Sequence, residues 1–392
     1  MRIAFVLLGL LLLLAVEILR VYFIMPFPGS QQGNTIGIAY WLDQNITWLR
    51  LLLLAALVYP FLLVWRQSKR WRRVLLSVGL LLYGLVFFLF NFRFLAEKMF
   101  YQPRIKSFAS ASLNRVKEDK LVLGIAINGQ AKAYPVQLIG YHHQVRDTVG
   151  GTPVMVTYCT VCRTGRVFSP IVNGKSETFR LVGMDHFNAL FEDATTKSWW
   201  RQVSGEAIAG PLKGAKLQEL PSQQMTLATW LRLHPNTQVL QPDTTFNQSY
   251  KDLADYDKGT LKSHLEKRDT LSWKPKSWVV GVAHGNEAKA YDWNELVRRQ
   301  LVQDSLPGLP LLIALESDSA SFHVWNRSVN GQVLHFQKQG NLQLFNDVNT
   351  GSVWNMDGEC IVGALKGQRL QPVQASQEFW HSWQTFHPST KK

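Results

Sequence analysis

Apolar positions change their pattern along this chain. Three long apolar runs fill the first hundred residues, and short, often β-branched stretches punctuated by Gly, Pro, Asn and Asp follow. The first run extends from Ile3 to about Met25 and is interrupted by Glu17 and Arg20. The second lies between Trp48 and Trp65, with an indole at each end where interfacial anchors sit, and the third runs from Val74 to about Phe94. Each approaches the roughly 20 residues that cross a bilayer as a helix. Glu17 and Arg20 stand at i, i+3, so on a helix they share a face, where they could pair or serve as functional intramembrane charges. A signal-peptide core over Ile3–Val16 fits poorly, because no small-x-small site follows and Glu17 ends the run.

Beyond Phe94 the pattern predicts strands and turns. Pro153–Tyr158 is short, apolar and β-branched and follows the turn signal Gly150-Gly151-Thr152, so it reads as a buried strand. Asn128-Gly129 and Asn173-Gly174 are two-residue hairpin turns. Ala189–Asp193 and Ser198–Ile208 read as a further hairpin with Trp199 and Trp200 in a core. Helices are expected over Pro135–Val145, with Pro135 in the first turn, and over Leu227–Leu233, stopped before Pro235.

These elements occur twice. Gly124–Tyr134, with its Ala131-Lys132-Ala133-Tyr134, returns as Gly281–Tyr291, and Asp147–Pro153 returns as Asp304–Pro310. Val172-Asn173-Gly174 matches Val329-Asn330-Gly331, and Gly205–Gly214 matches Gly358–Gly367. Trp230 with His234-Pro235 matches Trp383 with His387-Pro388. Matches in one order at a near-constant offset identify a duplication. The expected organisation is a membrane anchor over 1–106, a first repeat over 107–240, a polar connector over 241–276 that docks rather than floats, and a second repeat over 277–392. The expected fold class is α+β: a β-rich duplicated unit of antiparallel hairpins and short helices, preceded by three transmembrane helices.

Charge supports the membrane reading. The chain carries 42 Lys+Arg and 28 Asp+Glu, a balance of +14. Residues 1–106 hold 12 of the basic and 3 of the acidic residues, or +9, which leaves +5 for the rest. The excess lies beside the apolar runs, so it signals membrane topology rather than nucleic-acid binding. Arg66, Lys69, Arg70, Arg72 and Arg73 sit between the second and third runs. The positive-inside rule places that loop and the N-terminus in the cytoplasm, with Pro26–Thr47 and everything after Phe94 outside.

The chemical centre is Tyr158-Cys159-Thr160-Val161-Cys162-Arg163. Two thiols at this spacing can share a metal, close as a structural disulfide, or cycle as a redox pair, and the spacing suits all three. The second repeat puts Glu316 and Ser319 opposite Cys159 and Cys162, and Arg299 and Gln300 opposite His142 and His143. The architecture therefore stands without the thiols, which argues for function in the first repeat. The expected metal ligands are Cys159, Cys162 and His142. His143, His186, Met184 and Arg163 are possible additional members, with Arg163 either lowering a thiol pKa or pairing with Asp147. Copper is preferred over zinc for such a soft N/S set. Cys360 faces Ala207 and reads as a small buried residue. No P-loop, nucleophile elbow or His-Glu-x-x-His helix is present, and a Cys–His hydrolase is the less economical account.

The Ala-Lys-Ala-Tyr-Pro segment, His142 before Asp147-Thr-Val-Gly-Gly-Thr-Pro153, Val-Thr-Tyr-Cys-x-x-Cys-x-Thr-Gly, Ser198-Trp199-Trp200 and Gly205–Leu212 together resemble the bacterial family catalogued as domain of unknown function 3179. The resemblance covers both repeats. It implies an exported or membrane-attached protein and supplies no activity. The usual family residue after the histidine is Glu, where this chain has His143, and the three-span anchor is an addition to the family pattern. The chain is thus expected at a bacterial inner membrane with its repeats periplasmic or extracellular. Expected partners are the membrane and a metal- or thiol-exchanging extracytoplasmic protein, with no nucleic acid. Three functions stay open: soft-metal binding, thiol–disulfide exchange, and a structural or ligand-recognition module with an inert disulfide.

Overall fold

A computed structural model describes residues 2–340 and 344–392, which form two compact units. The first comprises residues 1–101 and 177–216, and the second residues 102–176 and 217–392.

In the first unit, helices Arg2–Tyr22, Ile36–Gln67 and Arg70–Phe88, the last continued by a π turn over Leu89–Arg93, are each long and apolar enough to cross a membrane. The second helix begins at Ile36, well before the apolar run at Trp48, so its first turns are more polar than the run that follows. Gly9 allows the first two helices to approach: a Cβ there would lie 2.3 Å from Leu57 Cδ2. Glu17 and Arg20 do not pair with each other. Arg50, on the second helix, grips the fully buried Glu17 carboxylate with Nε at 2.5 Å and Nη2 at 2.6 Å. Arg20 faces Asp43 at 3.6 Å and donates to Asn91 at 2.9 Å. A neighbouring helix can offer the two-pronged geometry that an i, i+3 pair on one helix cannot.

The same unit contains an antiparallel sheet from the first repeat, with strands Phe179–Asp185, Asn188–Asp193, Trp199–Arg201 and Ala207–Ala209. The expected single strand over Ser198–Ile208 is split, since Gln202–Glu206 turns back. Arg180 ties this sheet to the helices, reaching Glu192 at 2.8 Å, Asp43 at 3.2 Å and Glu97 at 3.5 Å. Trp199 meets Tyr40 edge-on at 5.2 Å. The second repeat has uncharged Gln337 and Asn346 in register where the first has Arg180 and Glu192.

The second unit holds the remainder of both repeats. A five-stranded sheet runs in the order Phe108–Ser110, Gln238–Leu240, Gln130–Pro135, Leu121–Ile127, Gln223–Thr226. Its last three strands recur as Glu287–Asp292, Trp278–His284 and Ala375–Phe379. The sheet Gln144–Val149, Thr152–Cys159, Thr164–Phe168 recurs as Leu301–Leu306, Leu309–Leu315, Phe322–Asn326, with Gln371–Pro372 added at its edge. The first helix of the repeat covers Val136–His142 and then gives way to a strand at Gln144, so it is shorter than expected. Pro135 occupies its N-cap rather than its first turn, and His143 ends it in a left-handed conformation. Gln300 does the same in the second repeat. The helix Leu227–Leu233 falls where the sequence places it, and Thr226 caps it through Thr229 N–H.

Two glycines show how closely each repeat packs. A Cβ on Gly124 would lie 2.3 Å from the Trp230 ring, and one on Gly281 2.2 Å from the Trp383 ring. The connector contributes Phe246, Tyr250 and Tyr256 to the first repeat's core, alongside Tyr134, Ile139, Val156 and Tyr158. A stretch that reads as polar is therefore pinned by its aromatic residues.

Candidate functional site

Cys159 is the last residue of its strand and stands in register with Thr164 across the antiparallel pair. Thr160–Arg163 form the turn between these strands, and Cys162 lies within it. The turn requires a left-handed residue, and Arg163 adopts φ 56. That conformation is uncommon for arginine and persists only where surroundings over-determine it. Here they do: Arg163 is fully buried, its guanidinium lies 3.8 Å from the Trp278 ring centroid, and Nε donates to Gln377 at 2.7 Å. Its remaining donors point to the carbonyls of Tyr256 and Asp257 at 3.4 and 3.5 Å. Asp147, a candidate partner from the sequence, instead binds Lys132 at 2.9 Å and Tyr134 at 2.7 Å. Arg163 thus holds the turn to the connector and the second repeat.

No disulfide joins the two sulfurs, and both are fully buried. Burial pushes the Cys162 thiol well above its ordinary pKa and the hydrogen-bonded Cys159 adds to this, while Ser382 and Lys276 pull it down. The groups around the turn come from outside the first repeat. Phe379 N–H donates to the Cys162 carbonyl at 2.9 Å, and the Thr164 and Ser382 hydroxyls lie 3.4 Å apart. Lys276 Nζ donates to the carbonyl of Val161, between the two cysteines, at 2.7 Å. His381 Nε2 lies 3.2 Å from the same carbonyl and 3.1 Å from Lys276 Nζ. On the far side of the turn, the Thr160 hydroxyl donates to Glu266 at 2.7 Å.

Burial drives Lys276 down to about 8 from 10.5, although both thiols and Glu266 favour its charge. Burial and the neighbouring ammonium hold His381 at about 3, so the imidazole is neutral. Among the described residues no carboxylate lies within ion-pair distance of Lys276. The Glu266 carboxylate acts on Lys276 only from beyond that distance, and less strongly than the two thiols do.

Among the sequence-selected histidines, His143 accepts the N–H of Tyr158, the residue before Cys159, on its carbonyl at 3.0 Å. His142 Nε2 forms a 2.6 Å hydrogen bond with the Tyr250 hydroxyl, and its ring packs edge-on against Phe246 and Tyr250. His143 is fully buried, with Nδ1 3.1 Å from the Tyr141 carbonyl, and burial holds it at about 4. His186 and Met184 belong to the other compact unit, where His186 Nδ1 meets Asp185 at 2.6 Å and is raised by that contact. Among the described residues no three His, Cys, Asp or Glu side chains come together in a geometry that could hold a metal ion. The Nε2 of His142 is engaged by Tyr250, part of the aromatic cluster that the connector supplies.

Lys276, His381, Ser382 and Gln377 were missed by sequence reasoning. A signal was available for one of them. At the offset that matches Trp230 to Trp383, His381 faces Ala228, so it is a histidine peculiar to the repeat whose helix closes the cysteine turn.

The arrangement is reciprocal. The Leu227–Leu233 helix of the first repeat closes the equivalent turn of the second: Thr226 N–H donates to Ser321 at 2.9 Å, and Arg232 grips Glu316 at 2.6 Å. The equivalent residues Gln224 and Gln377 meet at 3.1 Å. Each repeat thus seals the other's turn, and only the first turn carries sulfur.

This is an α+β protein with a buried dithiol and three helices able to cross a membrane. Residues 100–390 match the family described as "Protein of unknown function (DUF3179)", and the chain belongs to that family. No curated protein and no solved structure matches the chain.

Proposed function

We propose that the protein is a membrane-anchored, extracytoplasmic thiol–disulfide protein whose working pair is Cys159 and Cys162. The observation that carries this reading is Lys276: an ammonium whose charge is favoured first by the two buried thiols, and less by Glu266 from beyond ion-pair range, in turn favours a thiolate. An inert staple has no use for a desolvated cation there. Oxidation joins the two sulfurs, and two electrons and two protons pass to an acceptor disulfide, which becomes two thiols. The bond is reached by displacing the Lys276 and His381 side chains, which cover the turn. The basic loop Arg66–Arg73, by the positive-inside rule, supports an extracytoplasmic position for the repeats, where such exchange operates.

The test is a thiol count. Reduced full-length protein in detergent, treated with oxidised glutathione and alkylated after denaturation, should retain one of its three free cysteines, Cys360. Retention of all three refutes exchange.

A second reading uses the same two sulfurs to hold Cu(I). Two thiolates around a monovalent ion carry one negative charge, which Lys276 neutralises, and this geometry requires neither His142 nor any third ligand. It predicts one copper ion per chain, lost in Cys159→Ser and kept in His142→Ala. Zinc, which favours four ligands, fits less well.

A further inference from the structure

Trp273 and Trp380 meet edge to face, with ring centroids 5.0 Å apart and planes at 83°. Lys392 Nζ lies 4.9 Å from each centroid, so one ammonium faces two perpendicular indoles at once. Both distances fall inside the roughly 6 Å over which a ring quadrupole attracts a cation. The backbone holds all three residues in place. Trp380 is buried at the start of its helix, where its N–H donates to the Ser277 carbonyl at 2.8 Å and the next N–H, of His381, donates to Pro275 at 2.9 Å. These bonds strap the end of the connector to the helix. Trp273, half-buried on that strap, has φ 62, a conformation uncommon for a bulky side chain. Lys391 exchanges backbone bonds of 2.9 Å with Ala288 and Ala290, which brings Lys392 alongside. At the offset that matches Trp230 to Trp383, Trp380 faces Leu227, so the first repeat's helix begins without an indole.

Trp273 and Lys392 also line a cavity of about 560 Å³. Its carboxylates are Asp292, Glu295 and Asp304, and its cations are Lys289, Arg299 and Lys392 itself. Lys289 pairs with Asp304 at 2.7 Å and Arg299 with Glu295 at 3.7 Å. Asp292 has no salt bridge among the described residues, and Arg268 acts on it only from beyond that distance. It is 9% exposed, and its Oδ1 is buried with no hydrogen-bond partner among the described residues. Without the Lys392 ammonium, the lining would be one positive charge short.

We propose that Trp273 and Trp380 form an aromatic cage for a quaternary ammonium group, with Lys392 as its occupant from within the chain. Lys392 Nζ has no hydrogen-bond partner among the described residues, although an ammonium carries three donors. A cage of aromatic faces without acceptors suits a cation that has no N–H to satisfy. A quaternary ammonium also sheds water more readily than the strongly hydrated lysine head, so it can displace Lys392 and restore the charge balance. The site does not depend on the chemistry of the sulfur pair. The same group occurs in free choline-like solutes and in the headgroup of phosphatidylcholine.

The test is calorimetric titration of the full-length protein, in a maltoside detergent that carries no ammonium, with choline chloride. Saturable binding is expected, at least fivefold tighter in Lys392→Ala, which leaves the backbone bonds of Lys391 in place. Trp273→Leu keeps apolar cover on the helix, removes one aromatic face, and should weaken binding at least tenfold. The uncharged isostere 3,3-dimethyl-1-butanol should not compete. A second arm uses short-chain phosphatidylcholine below its micellar concentration: choline bound and the lipid excluded assigns the ligand as a free solute, and binding of both assigns it as a headgroup. No saturable binding of choline to Lys392→Ala, affinity unchanged in Trp273→Leu, or equal binding of the uncharged isostere overturns the proposal.

Discussion

Replacing Lys276 with Met should stabilise the protein and impair its thiol chemistry at once. The drop from 10.5 to about 8 means that carrying the ammonium at neutral pH costs about 3 kcal/mol, which screening at a partly exposed group reduces to about 2. Methionine offers an unbranched apolar chain of similar length to the Phe379 ring, over which Nζ sits 4.6 Å from the centroid. The hydrogen bond to the Val161 carbonyl is lost, worth about 1 kcal/mol, but His381 remains near that oxygen. The net expectation is a gain of about 1 kcal/mol, or a rise in Tm of about 2–4 °C. Wild-type stability should also climb between pH 8 and 10.5, because there the unfolded chain holds a proton on Lys276 that the folded chain has released. Lys276→Met should flatten that climb. Without the cation, thiolate formation loses its partner, so disulfide formation with oxidised glutathione should slow by about tenfold or more. Thermal unfolding in detergent across this pH range, with alkylation kinetics on the same samples, provides both readouts. A Tm that falls by several degrees, with thiol kinetics unchanged, would make Lys276 a structural strut and refute the reasoning.

Three further outcomes are expected. His143 is held at about 4 in the folded chain against 6.5 when free, so stability should fall as pH drops from 6.5 towards 4; His143→Gln, the residue the second repeat carries at the same left-handed position, should retain the fold and lessen that loss by about 2–3 kcal/mol in acid denaturation curves. Gly281→Ala should destabilise by about 2–3 kcal/mol or more in thermal unfolding, since its Cβ would meet a buried indole at 2.2 Å; a neutral result would mean that the Trp383 ring can retreat. Glu17→Gln should cost about 3–5 kcal/mol by removing the counter-charge of Arg50 within the helix bundle, read as loss of thermal stability in detergent.

Much of the architecture was legible because it rests on local signals. The hairpin turns at Asn128 and Asn173, the tryptophans that fill space against Gly124 and Gly281, and the three helices long and apolar enough to cross a membrane all follow from short-range chemistry. Repetition compounded these signals, since each was written twice. The composition of the site was less legible. The Cys-x-x-Cys turn announces itself, but Lys276 lies in the connector and His381 far along the second repeat, and only the exchange of helices between repeats brings them to Val161. The Tyr250 partner of His142 was hidden for the same reason: it comes from a connector whose aromatic residues look isolated in a polar stretch. The pairing of Glu17 with Arg50 rather than Arg20 likewise depends on which helix lies alongside. Contacts between distant segments leave no periodicity to read.

The reduction potential of the Cys159–Cys162 pair, obtained by equilibrating the full-length protein in graded glutathione buffers and counting alkylated thiols, tests the central claim most directly. A working pair should titrate near −200 mV or higher. A pair that stays oxidised below about −300 mV, or never closes, would contradict it.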